Sequence, residues 1–170
     1  MVREYPMRIL ILEDNADRRT AMLEHIADCL PMFGVSFFET SDSMIQALQA
    51  AIWDEIALIS LDNDLDPVLR DGKPVDAGDG VAVARYLVGQ NSPASTRTAP
   101  PPLIIHSTNE IAAAQMQQMF CDVNWPIYRV LPYDGESWIG ESWIGEVWIQ
   151  KARAAIVSSV SDRKPTPVHR

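Results

Sequence analysis

A chain of 170 residues, 47% of them hydrophobic, can build one domain with a real core and is too short for two ordinary ones. Its net charge of -9 and pI near 4.7 exclude nonspecific attraction to nucleic acid or an anionic membrane, which leaves cations, basic protein patches and small molecules as partners. No uncharged apolar run reaches spanning length, and Arg3, Glu4 and Arg8 interrupt a leader-like start, so a cytoplasmic protein is expected.

The first predicted element is Arg8-Ile9-Leu10-Ile11-Leu12, which stops at Glu13-Asp14-Asn15. An apolar run closed by turn residues reads as a strand buried on both faces, as in a parallel sheet between helices. Ala16 to Leu30 then places Met22, Leu23, Ile26 and Leu30 on one helical face, and Pro31 and Gly34 end it. Cys29 lies in this helix and Cys121 far from it, without a metal-ligand spacing, so two reduced, mostly buried thiols are expected rather than a disulfide or a zinc site. Val35 to Glu39 is a second strand, and Ser41 or Ser43 caps a helix carrying Ile45, Leu48 and Ile52.

The third strand, Ile56 to Leu61, again stops in acid, at Asp62-Asn63-Asp64. Asp64 to Asp79 is rich in Asp, Gly and Pro and is expected to be a long loop over the acidic residues. Gly78-Asp79-Gly80 leads into a helix over Val81 to Leu87, followed by an exposed Ser/Thr/Pro-rich connection from Asn91 to Pro102. Leu103-Ile104-Ile105 is a fourth strand, ending in His106-Ser107-Thr108-Asn109. A helix over Ile111 to Phe120 turns Met116, Met119 and Phe120 inward, and Ile127 to Leu131, before Pro132, is the fifth strand.

The segment ESWIGESWIGEVWIQ repeats every five residues, a period that matches neither helix nor strand. Trp138, Trp143 and Trp148 therefore cannot share one face of a regular helix, and either some of this surface is exposed for a partner or self-association, or the repeat is a tolerated duplication. Val147, Ile149, Ala152 and Ile156 suit a last helix, which gives a domain over residues 1–157 and a disordered tail over 158–170.

Successive β-α units predict an α/β fold with a doubly wound, five-stranded parallel sheet of order 2-1-3-4-5. Strands one and three are then neighbours, and Glu13, Asp14 and Asp62 converge beyond their carboxyl ends. Carboxylates crowded in this way repel unless a cation joins them, so a divalent-metal site is expected, with oxygen ligands suited to Mg2+ or Mn2+. Asp64 is an alternate ligand or a turn residue. His106 is either a core histidine or, being on the same edge, a functional one.

The acidic pair Glu13-Asp14, Asp62 after strand three and Ser107 or Thr108 after strand four resemble the receiver domain of response regulators, a flavodoxin-like fold. The resemblance implies that the three acids hold magnesium, that Asp62 accepts a phosphoryl group from a phosphodonor, and that the hydroxyl of Ser107 or Thr108 contacts it. One departure is that receivers carry Lys before the Pro that follows strand five, where this chain has Leu131 before Pro132. Leu61-Asp62-Asn63-Asp64-Leu65, Gly78-Asp79-Gly80 and His106-Ser107-Thr108-Asn109 with Met116 further resemble a receiver group named for cyclic-phosphate processing. That group has Asp-His-Asp-Leu after strand three, so Asn63 removes one candidate acid/base.

Three functions follow from the resemblance. In the first, magnesium binds a phosphate ester, Asp62, His106 and Asn109 carry the chemistry, and Ser107, Thr108 and Arg18 hold phosphate oxygens. In the second, Asp62 is the phosphoacceptor of a signalling receiver. In the third, a pseudo-receiver binds another protein through the Trp-rich segment 137–149.

Overall fold

The computed structural model describes residues 7–90, 100–132 and 140–161. Five strands form one parallel sheet: β1 (Arg8–Leu12), β2 (Gly34–Phe38), β3 (Ile56–Leu61), β6 (Leu103–His106) and β7 (Ile127–Val130), in the order β2-β1-β3-β6-β7. This is the expected 2-1-3-4-5 arrangement. The numbers skip because two short strands intervene in the chain, β4 (Val68–Arg70) and β5 (Lys73–Val75).

Alternate residues of the strands feed two cores, as the pleat requires. Leu10, Leu12, Ile59, Leu61, Leu103 and Ile105 pack against helices α2 (Ser41–Ala50), α3 (Gly80–Gly89) and α4 (Glu110–Asp122). Ile9, Ile11, Leu58, Ile104 and Val130 pack on the other face against α1 (Ala16–Cys29) and α5 (Ile149–Ser161). Being covered on both faces is why these strands read as unbroken apolar runs.

Several expectations are corrected. The stretch from Asp64 to Asp79 is not a plain loop, since β4 and β5 pair as an antiparallel hairpin. Its two turn residues, Asp71 and Gly72, both have positive φ (51° and 73°), the conformation that an Asp-Gly pair adopts in a type I′ turn. Thr40, rather than Ser41 or Ser43, caps α2 by accepting from Ser43 N, and the helix ends at Ala50, leaving Ile52 exposed. Leu23 is also exposed, beside the buried Met22 that takes the inward direction. Cys29 and Cys121 are free and exposed, not buried. Helix α5 runs past residue 157 to Ser161, and residues 162–170 of the expected tail lie outside the described residues.

The largest correction concerns the tryptophan repeat. Trp143 and Trp148 are both fully buried against the sheet. Five residues on a regular helix would set them about 140° apart. Here Ile144–Trp148 is a π-turn in which Ile149 N–H donates to Ile144 O, five residues back, so the five-residue period fits the local helix and both rings face inward. Trp138 lies outside the described residues.

Candidate metal centre

Backbone hydrogen bonds continue past the strand ends and fix where the acids stand. Glu13 N donates to Phe38 O at 2.9 Å and Asp62 N to Leu12 O at 3.0 Å, so Glu13 sits over β1 with Asp62 directly beside it. Gly80, at the start of α3, lies against the Asp62 backbone, where a Cβ would fall 2.2 Å from Asp62 O. Only glycine permits that approach. Asn63, buried in the position where the related group has His, accepts from Val81 N and donates to Asp64, so its amide fastens the turn after β3 to α3.

Glu13, Asp14 and Asp62 each offer an oxygen, and these oxygens lie within 4.8 Å of one another. Glu13 and Asp62 are buried and Asp14 is half-buried. Three oxygen donors on one side of a small volume, open toward solvent through Asp14, fit a hard divalent cation that keeps some of its waters. Asp64 stands apart from this cluster. It is exposed and accepts from Asn63 Nδ2 at 2.7 Å and Asn109 Nδ2 at 3.0 Å.

Arg18, in the first turn of α1, reaches into the centre. Its Nη1 is 3.4 Å from Asp62 Oδ2 and 3.8 Å from Glu13 Oε2, its Nε is 3.3 Å from Glu141 Oε2, and its guanidinium lies 5.8 Å from the Trp143 ring centroid. Burial lowers its pKa, but Glu13, Glu141 and Asp62 outweigh that and raise it. Burial likewise pushes Glu13 up, yet the hydrogen bond with His106, with Arg18 and the Asn15 N–H, holds it below the usual carboxylate range. For Asp62 burial wins: aided by the Glu13 charge, it raises the pKa against His106, the Asn63 N–H and Arg18. Two adjacent carboxylates thus have pKa values driven in opposite directions, a pattern common at functional sites.

His106 is on the same strand edge but turned inward. It is fully buried behind Glu13, with Nε2 3.3 Å from Glu13 Oε2 and Nδ1 2.8 Å from Ser60 Oγ. Ser107 is buried and accepts from Asn109 N, while Asn109 Oδ1 caps α4 by accepting from Ala112 N. Thr108 is exposed. Residues that sequence reasoning missed are Ser60, hidden as one small polar residue in the apolar run of β3, and Glu141, which arrives from far along the chain. Glu141 belongs to the repeat, and its spacing two before Trp143 becomes meaningful only because Trp143 Nε1 donates to its carboxylate at 2.6 Å.

The sequence matches the family model described as cyclic-phosphate processing Receiver domain over residues 8–122. No curated protein sequence gives a match. Among solved structures, a response regulator receiver domain from Rhodospirillum rubrum is similar with a TM-score of 0.58 at 15% identity, covering 91% of this chain and 94% of that one. The response regulator domain of Thermotoga maritima CheB gives 0.56 at 16% identity, covering 89% and 96%. The non-phosphorylated receiver domain of Escherichia coli RcsB gives 0.56 at 16% identity, covering 89% and 93%. These likenesses show the fold. Glu141, Trp143 and Trp148 lie beyond the family match.

Proposed function

This chain belongs to the cyclic-phosphate processing receiver domain family, and on that footing we propose that its acidic centre holds Mg2+ or Mn2+ and acts on a phosphate-containing ligand, a cyclic phosphate in particular. The observation that carries this reading is the convergence of Glu13, Asp14 and Asp62 with one guanidinium, Arg18, aimed at the same place. Receiver domains of this type serve signal transduction, and among the described residues no helix is long and apolar enough to cross a membrane.

The bound cation would supply positive charge to phosphate oxygens and polarise the ester. The chain's own residues do the rest. Glu13, Asp14 and Asp62 are the ligands, and Asp64 supports the centre through Asn63 and Asn109. Arg18, already charged and half-buried, turns from Asp62 to an incoming phosphate oxygen, a role that suits a planar donor fork. Thr108, exposed at the rim, and Asn109 beside it orient the remaining oxygens, with Ser107 holding their turn. His106 has no open face and serves the reaction through Glu13.

A phospho-accepting role for Asp62 is the second reading, favoured by Arg18: it brings a cation to 3.4 Å of Asp62 although Leu131 stands where receivers have Lys. The two readings separate in one assay. A panel of cyclic nucleotides and terminal cyclic phosphates, with Mg2+ or Mn2+, is expected to be hydrolysed by the wild type and not by Asp62→Asn. No turnover on any member, with metal bound, would sink the enzyme reading.

A further inference from the structure

Behind the acidic centre four buried polar groups form a line through the sheet. Trp148 Nε1 donates to Ser60 Oγ at 3.0 Å, Ser60 Oγ lies 2.8 Å from His106 Nδ1, and His106 Nε2 lies 3.3 Å from Glu13 Oε2. All four residues are 0% exposed. An indole N–H can only donate and an ionised carboxylate can only accept, so the direction is set at both ends. The Trp148 proton points at Ser60, and the His106 Nε2 proton points at Glu13. In the neutral imidazole Nδ1 is then an acceptor, and the Ser60 hydroxyl proton fills it. For a neutral His106 one arrangement satisfies every group on the line, and in it the Ser60 hydroxyl selects the tautomer that lets His106 donate to Glu13. Trp143 covers the imidazole, with ring centroids 6.1 Å apart and planes 24° from parallel.

We propose that Ser60, His106 and Trp148 are positioning residues for the Glu13 carboxylate, and that the occupancy of the acidic centre is felt along this line in the π-turn leading into α5. The proposal rests on the metal reading above. A cation drawing on Glu13 weakens the carboxylate as an acceptor for His106. In a line this tightly enclosed, the change passes to the Ser60 hydroxyl and the Trp148 N–H. Outer partners of this kind orient a metal ligand and set its strength. The two tryptophans that close the line come from the five-residue repeat, which thereby gains a role: its π-turn sets one ring on His106 and the other on Ser60.

The test is an NMR titration of the full chain, labelled with 15N, with magnesium chloride alone. The indole resonance of Trp148 is assigned by its loss in Trp148→Phe. In the wild type it is expected to shift together with the backbone amides of Asp14 and Asn63, all following one dissociation constant. Ser60→Ala is expected to weaken magnesium binding about 10-fold and to abolish the indole shift at metal saturation. A Trp148 resonance that stays fixed while Asp14 and Asn63 move would overturn the relay and leave the metal site standing, as would Ser60→Ala binding magnesium like the wild type. No shift at Asp14 or Asn63 would overturn the metal reading and the relay with it.

Discussion

Replacing Asp62 with Asn is expected to stabilise the metal-free protein and to remove its stabilisation by metal. Asp62 is 5% exposed and shares its oxygen cluster with Glu13. Burial first, then the Glu13 charge, raises its pKa in the folded protein. A carboxyl raised in this way contributes stability below its unfolded pKa and loses it as pH rises through the folded value, so above that value the whole penalty is in force. An amide at this position carries no charge and keeps an oxygen for the Asn63 N–H, while Arg18 retains Glu13 and Glu141. The expected gain is about 1 kcal/mol, which for a chain of this size is about 2–4 °C in Tm. With free magnesium at about 100 times Kd, the wild type gains about 2.7 kcal/mol by linkage, whereas the variant, having lost a ligand, gains little. Thermal unfolding followed by circular dichroism at neutral pH, in chelator and in magnesium, measures both effects. A variant less stable than the wild type in chelator, or one that gains equally from magnesium, refutes the reasoning.

Magnesium affinity is expected to increase as pH rises through the raised pKa of Asp62, with Glu13 already ionised at lower pH; calorimetric titration across that range checks it, and a flat profile would contradict the assignment. Arg18→Gln removes a competing cation from the acids and a donor from the anion, so it should tighten magnesium binding while weakening that of inorganic phosphate about 10-fold, in separate titrations. A small phosphodonor with magnesium should leave little stable modification on Asp62, because Leu131 offers no ammonium; stoichiometric labelling that disappears in Asp62→Asn would promote the phosphoacceptor reading.

The sheet and the acidic centre were legible because they share one signal: short apolar runs in β1, β3 and β6, each closed by polar residues at the same edge. What escaped has physical reasons. Asp71-Gly72 is a hairpin signal in its own right, but the flanking strands are three residues each, too short to show alternation in a Pro- and Asp-rich stretch. Trp143 and Trp148 resisted a regular helix because a π-turn over Ile144–Trp148 sets their spacing, a state that periodicity at 3.6 or 2 residues does not test. His106 was visible as chemistry at a strand end, yet its direction depends on Ser60 and Trp148, partners 46 and 42 residues away along the chain. Only the folded packing of α5 on the sheet reveals that it faces inward.

Everything proposed for this site requires that Glu13, Asp14 and Asp62 together bind a divalent cation. A crystal soaked in manganese and measured for its anomalous signal tests this most directly. One strong peak is expected between the three carboxylates, within about 2.0–2.3 Å of an oxygen from each, and none in Asp62→Asn crystals. No peak at saturating manganese, or one that touches none of the three, would contradict it.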